Sequence, residues 1–219
     1  MWGEAVQENL VSLPEKISPF SVLNNYRIIQ RTKKIREILS PTPREIILLN
    51  ILKSCGSVAG FQVEGLWSNK GREKLKKLAF GGFIVLSKLE GEYKLNVYSL
   101  SPQKDVSTVL KQLAFAQLYM RIREHFPCGA SLLPPPLTGV INIRGKIFPV
   151  LVVRRGEDPA CLYGYLKGLP RLLVIAEELV KLDLPVPFRV TTDGDLLEKP
   201  LRYAFYDENG RPDEANIFK

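Results

Sequence analysis

Apolar positions recur at roughly helical spacing through residues 19–39. Val22, Leu23, Tyr26, Ile29, Ile35, Ile38 and Leu39 are interleaved there with Arg27, Arg31, Lys33, Lys34 and Arg36. That alternation predicts a leading basic amphipathic helix. A second helix begins at residues 42–45, where Thr42 can cap, Pro43 suits the first helical position and Glu45 completes a capping box. Its body is apolar nearly all round (Ile46, Ile47, Leu48, Leu49, Ile51, Leu52), which predicts a buried helix ending at Cys55-Gly56. Residues 57–67 read as a short helix with Phe61, Val63, Leu66 and Trp67 as its apolar residues. Ser68 can cap a further helix to about Phe80, with Gly71, Leu75, Leu78 and Ala79 on one face and Gly81-Gly82 as its stop. Two strand-like runs, 83–88 and 93–100, then flank the turn residues Glu90-Gly91-Glu92 as a hairpin.

Beyond residue 100 the pattern changes. Ser101-Pro102 opens a long helical segment to about Phe126, a linker helix whose Leu110, Leu113, Phe115 and Tyr119 suit either a dimer interface or the next domain. The Pro-rich run 127–136 marks a boundary or hinge. Strands follow at 137–143 and 147–153 around Arg144-Gly145-Lys146, then a helix at 169–182. Strands at 187–192 and 201–206 come last, with Asp193-Gly194 and Asn209-Gly210 as turns. The expected fold is α+β in four parts: a leading basic helical segment (1–40), a winged helix-turn-helix (41–100), the linker helix (101–126) and a small C-terminal α/β domain (127–219).

Charge gives this frame a direction. The formal net charge is +8, and residues 1–100 hold 15 Lys/Arg against 9 Asp/Glu, whereas residues 101–219 hold 16 against 14. A basic excess concentrated on a helix-helix-helix-hairpin unit points to a polyanion, and double-stranded DNA is the polyanion that unit is shaped to fit. Lys70, Lys76, Lys77, Asn69 and Glu73 would face the groove from the third helix with Arg72 and Lys74 beside them; Lys88 and Lys94 lie on the wing and Arg44 at the first helix start. No apolar run approaches the roughly 18 residues of a membrane span, so the expected setting is cytoplasmic, with no membrane partner. Cys55, Cys128 and Cys161 are odd in number and widely spaced, and are expected to be buried, reduced thiols.

Candidate chemistry adds little. His125 is the one histidine, and its pairing with Cys128 has no counterpart that would complete a zinc site or a nucleophile triad. Gly164 and Gly168 lack the third glycine of a dinucleotide fingerprint. Asp193-Gly194-Asp195 and Asp207-Glu208-Asn209-Gly210 lack the full ligand series of a calcium loop and read as solvated turns. No catalytic residue, metal or cofactor is therefore expected. Two other readings remain: a metal-dependent nuclease using Glu124, Glu157 and Asp158, and a protein-protein adaptor that docks through the winged helix.

Thr-Pro-Arg-Glu (42–45), Arg-Glu-Lys-Leu-Lys-Lys-Leu (72–78), Gly-Gly-Phe-Ile (81–84) and Val-Tyr-Ser-Leu (97–100) resemble the replication-relaxation family of plasmid and conjugative-element proteins. So do Pro-Leu-Thr-Gly-Val-Ile (136–141) and Val-Leu-Val-Val-Arg-Arg-Gly-Glu (150–157) in the second half. The resemblance implies a winged helix followed by a domain related to restriction-endonuclease folds. Active nucleases of that fold hold magnesium with an Asp opening the second strand and a Glu-x-Lys on the third. Here those stretches offer Thr138 and Gly139, and Val150, Leu151, Val152 and Val153. The resemblance thus implies a degenerate, non-catalytic scaffold. The protein would be a DNA-binding regulator or accessory factor of a mobile element, dimeric, with the C-terminal domain free to contact a protein partner.

Overall fold

Thirteen residues, Pro43–Cys55, form the first α-helix (α1), and its start follows from the capping sequence: the Glu45 carboxylate accepts the Thr42 amide at 2.6 Å. Gly56, at φ +79°, ends it in a conformation open to glycine. This is a computed structural model of the chain, and it describes residues 17–30, 40–67, 69–179 and 182–213. Before α1 lies a strand, β1 (Arg27–Gln30); after it come β2 (Ser57–Ala59), the short helix α2 (Gly60–Val63), α3 (Gly71–Phe80) and the hairpin β3 (Val85–Glu90) and β4 (Lys94–Ser99). The four strands make one antiparallel sheet in the order β1-β3-β4-β2. Gly82 (φ +79°) halts α3, with the Phe83 amide returning to the Leu78 carbonyl at 3.1 Å. The hairpin and the stop at Gly81-Gly82 fall where the sequence puts them.

Three features of this half differ from expectation. Residues 27–30 are a strand instead of part of a leading helix: Asn25 turns the chain in a left-handed conformation (φ 49°), and Arg27 to Gln30 pair in register with Glu90 to Ser87. The rest of that expected helix, residues 31–39, lies outside the described residues, as does the capping Ser68. Residues 57–67 divide into β2, α2 and a 3-10 turn, because Ser57, Val58 and Ala59 pair with β4 before the chain coils. And α1 is not buried all round: Leu48, Ile51, Leu52 and Cys55 face inward, while Ile46 and Ile47 are exposed.

The second half is built on α4 (Val106–Arg123), capped by Asp105, whose carboxylate accepts from the Thr108 amide at 2.8 Å. Strands β5 (Cys128–Leu132), β6 (Gly139–Ile143) and β7 (Lys146–Val153) form an antiparallel meander. A crossover through the short helix α5 (Tyr163–Leu166) leads to β8 (Leu172–Ala176) parallel to β7, then β9 (Phe188–Thr192) parallel to β8 and the short helix α6 (Asp193–Glu198). The Pro-rich run is therefore no bare hinge, since it contains β5. The helix expected at 169–182 is instead β8: Leu-Leu-Val-Ile-Ala is a five-residue run buried on both faces, and such a run has no period that separates strand from helix. Likewise, 201–206 is a 3-10 turn followed by two isolated bridges at Tyr206, to Val190 and to Pro212, and Asp193-Gly194 opens α6.

Helix α4 is what positions the two sheets. It packs on β2 of the first and on β5 and β7 of the second, and Leu110, Leu113, Phe115 and Leu118 are fully buried in one core that runs through both halves. Of the two uses the sequence left open for Leu110, Leu113, Phe115 and Tyr119, the chain's own core takes all four. Among the described residues no helix is long and apolar enough to cross a membrane.

Candidate nucleic-acid interface

The outward face of α3 and the outward face of the hairpin meet along a groove of about 350 Å³ lined by Phe61, Glu64, Arg72, Lys76, Lys94 and Asn96, among others. Leu75 and Leu78 anchor α3 from below, leaving Lys70, Arg72, Glu73, Lys76 and Lys77 exposed above. On β4 the alternation puts Lys94, Asn96 and Tyr98 on the groove side, and cross-strand pairing sets Glu90 opposite Lys94 and Lys88 opposite Asn96. Thus Arg72 and Lys76 on the helix and Lys94 on the hairpin line one groove, with Lys88 on the adjoining strand of the same sheet face. Asn69 and Lys70 are exposed at the mouth of α3, where Lys70 adopts a left-handed φ of 63°. Arg44 is exposed in the first turn of α1, a helix whose main contacts are α4, β2 and β5.

Local charge pairing shapes this surface without neutralising it. Arg72 Nε donates to Glu64 Oε1 at 3.0 Å, yet its side chain remains 80% exposed. Lys70 and Glu73 sit 4.0 Å apart on consecutive turns, an exposed pair that contributes little. Arg27 reaches Glu90 at 3.6 Å from the neighbouring strand. Burial pushes the Tyr98 hydroxyl up from its usual range, with the Glu64 carboxylate adding to the effect and Arg72 opposing it. Sequence reasoning missed Asn96 and Phe61, and set Arg27 among the cations of a leading basic helix that could follow a DNA backbone, where the structure has a strand; the signal against the helix was Asn24-Asn25, two residues poorly suited to a helix interior.

A second polar cluster lies far from expectation, at the carboxyl ends of β7, β8 and β9. Arg154, 2% exposed, gives Nη1 to Asp193 Oδ2 at 2.6 Å and Nη2 to Asp193 Oδ1 at 3.2 Å, and Glu177 Oε1 stands 3.9 Å from Nη1. Asp193 is fully buried; burial pushes its carboxyl up and the Arg154 guanidinium opposes that. It is no solvated turn. The N-terminal segment closes this cluster: Ser18 Oγ donates to Asp193 at 3.1 Å, Ser21 Oγ to Glu177 at 2.5 Å, and the Val22 amide to Glu177 at 3.1 Å.

Of the residues considered for nuclease chemistry, Glu157 and Asp158 line one cavity and Glu124 does not join them. Glu124 pairs with Arg121, Glu157 with Lys111, and Asp158 caps the turn at Ala160. Thr138 is buried and its hydroxyl accepts from the Val152 amide, while Gly139 lies beneath Phe115, whose ring a Cβ would meet at 2.5 Å. Among the described residues no group of three His, Cys, Asp or Glu stands where it could hold a metal. The thiols also divide: Cys55 is buried, Cys128 half-buried and Cys161 exposed, so the expectation of three buried thiols fails at the crossover loop. Asp207 does serve a turn, accepting from the Asn209 and Arg211 amides. Compared with protein-family models, curated proteins and solved structures, this chain matches none.

Proposed function

We propose that residues 41–100 are a winged helix and that the chain binds duplex DNA through α3 and the β3–β4 wing, acting as a non-catalytic regulator or accessory protein. The observation that carries this reading is the groove in which Arg72 and Lys76 of α3 face Lys94 of the wing. A helix inserted in the major groove leaves its flanks against the two phosphate backbones, where cations on the helix and wing replace condensed counterions. Support for the frame comes from β2, which pairs with β4 and so ties α2, α3 and the hairpin into one unit. Asn69 and Lys70, at the helix start, are the residues suited to base edges, and Lys76 and Lys77 to phosphates.

The order of α4, an antiparallel three-strand meander, a crossover and a parallel fourth strand agrees with an endonuclease-derived scaffold. Thr138, Gly139 and Val150 to Val153 give it no acid at the positions where that chemistry would need one, and Phe115 fills the space above Gly139. The exposed face of α3 is cationic, which favours DNA over a neutral docking surface for a protein. Reversing Lys70, Lys76 and Lys77 together to Glu is expected to abolish duplex binding in a fluorescence-anisotropy titration while thermal stability stays within a few degrees. Retained affinity in the folded triple variant refutes the assignment of this face.

A further inference from the structure

The N-terminal segment touches both halves of the molecule. At residues 18–22 it is fastened to the second half by Ser18 on Asp193, Ser21 and the Val22 amide on Glu177, and Arg154 Nη1 donating to the Phe20 carbonyl at 3.4 Å. Five residues later it becomes β1 and widens the wing from two strands to three. The connection between these ends is tight. Phe20 is fully buried and stacks on Phe61 beside the groove, with ring centroids 6.0 Å apart. The Glu92 amide donates to the Asn24 carbonyl at 3.0 Å, and a side chain at Gly91 would collide with that same carbonyl oxygen.

The widened face adds one cation in a useful place. β1 pairs in register with β3, so Arg27, Glu90 and Lys94 form one cross-strand row and Ile29, Lys88 and Asn96 the next. The Arg27 side chain is 77% exposed, while its partner Glu90 is 27% exposed. We infer that Arg27 is a further DNA-backbone contact on a three-stranded wing, and that Glu177 and Asp193, held by Arg154, are positioning residues that keep β1 in place from the other half of the molecule. This rests on the DNA-binding reading above and deepens it. It also gives the buried Arg154–Asp193–Glu177 cluster a role that catalysis does not supply.

Three variants test it by duplex titration at several salt concentrations, with amide hydrogen exchange on the same proteins. Arg27→Ala is expected to lower affinity on the order of fivefold near 0.1 M salt and to flatten the salt slope by about 1, the value of one phosphate contact. Arg27→Lys is expected to retain the slope. Glu177→Gln removes a negative charge, which by itself would strengthen binding to DNA; the inference expects weaker binding, together with faster exchange of the Ile28 to Gln30 amides and unchanged exchange in α3. A wild-type response from Arg27→Ala, or tighter binding and unaltered β1 exchange in Glu177→Gln, overturns the inference while leaving the α3 reading intact. Failure of the wild-type protein to bind duplex sinks the DNA reading itself, and the exchange measurement still decides whether Glu177 holds β1.

Discussion

With its guanidinium almost wholly buried between Asp193 and Glu177, Arg154 leaves two interior carboxylates without a counter-charge if it is shortened. Arg154→Met is therefore expected to cost about 3–5 kcal/mol in urea unfolding, and the double variant Arg154→Met/Asp193→Leu to cost less than the single one, because it leaves one interior carboxylate, Glu177, without a counter-charge instead of two. A double variant as unstable as the sum of its parts would argue against that account. The thiols give a second residue-scale test. Burial pushes Cys55 well above the usual thiol range and raises Cys128 as well. In the folded protein a maleimide should label Cys161 quickly, Cys128 slowly and Cys55 only after unfolding; rapid labelling of Cys55 would mean that α1 does not seal it. The burial of Cys55 was expected from the sequence, but the exposure of Cys161 and the buried ion cluster were not. Arg154 and Glu177 each open a charged pair, Arg154-Arg155 and Glu177-Glu178, that reads as a solvated end of an apolar run, and Asp193 sits in an Asp-Gly pair that reads as a turn until its distant partner is known.

Elements were legible where local chemistry decides them. Thr42, Pro43 and Glu45 begin α1, Gly82 ends α3, and Gly91 turns the hairpin, each through a backbone demand met within a few residues. They were not legible where distant pairing decides: β8 is a strand because β7 and β9 lie on either side of it, and β1 and β2 because β3 and β4 offer open edges. The cap of α4 is local as well, yet it was misplaced: the sequence opens this helix at Ser101-Pro102, whereas the structure starts it at Val106 behind Asp105. Its Asp105 carboxyl is held below the usual range, chiefly by the Thr108 hydroxyl and then by the Thr108 amide. Asp105→Ala is expected to cost about 1 kcal/mol at neutral pH. A carboxyl whose folded value is depressed stabilises fully above its unfolded value of about 4 and loses that contribution as pH falls through the folded value. The difference between wild type and variant should thus shrink below about pH 4; a difference that stays constant into acid contradicts the cap.

At the scale of the molecule, α4 joins what the sequence divided. Val58 and Leu52 of the first half and Ile141, Val150 and Leu173 of the second belong to the same buried core as Leu113 and Phe115. Calorimetry is expected to give one cooperative transition with equal calorimetric and van't Hoff enthalpies, and two resolved transitions would contradict a shared core. The shared core also fixes the β3–β4 hairpin, through β2 and α4, relative to the cluster that fastens the N-terminal segment. The central claim is that the α3 and wing surface binds the DNA backbone. Its most direct test is the salt dependence of duplex affinity. The account predicts a linear fall of log K with log salt, with a slope of about −4 to −6 that loses about one unit for each of Lys76→Ala and Lys94→Ala. A slope near zero, or one that these two substitutions leave unchanged, would contradict it.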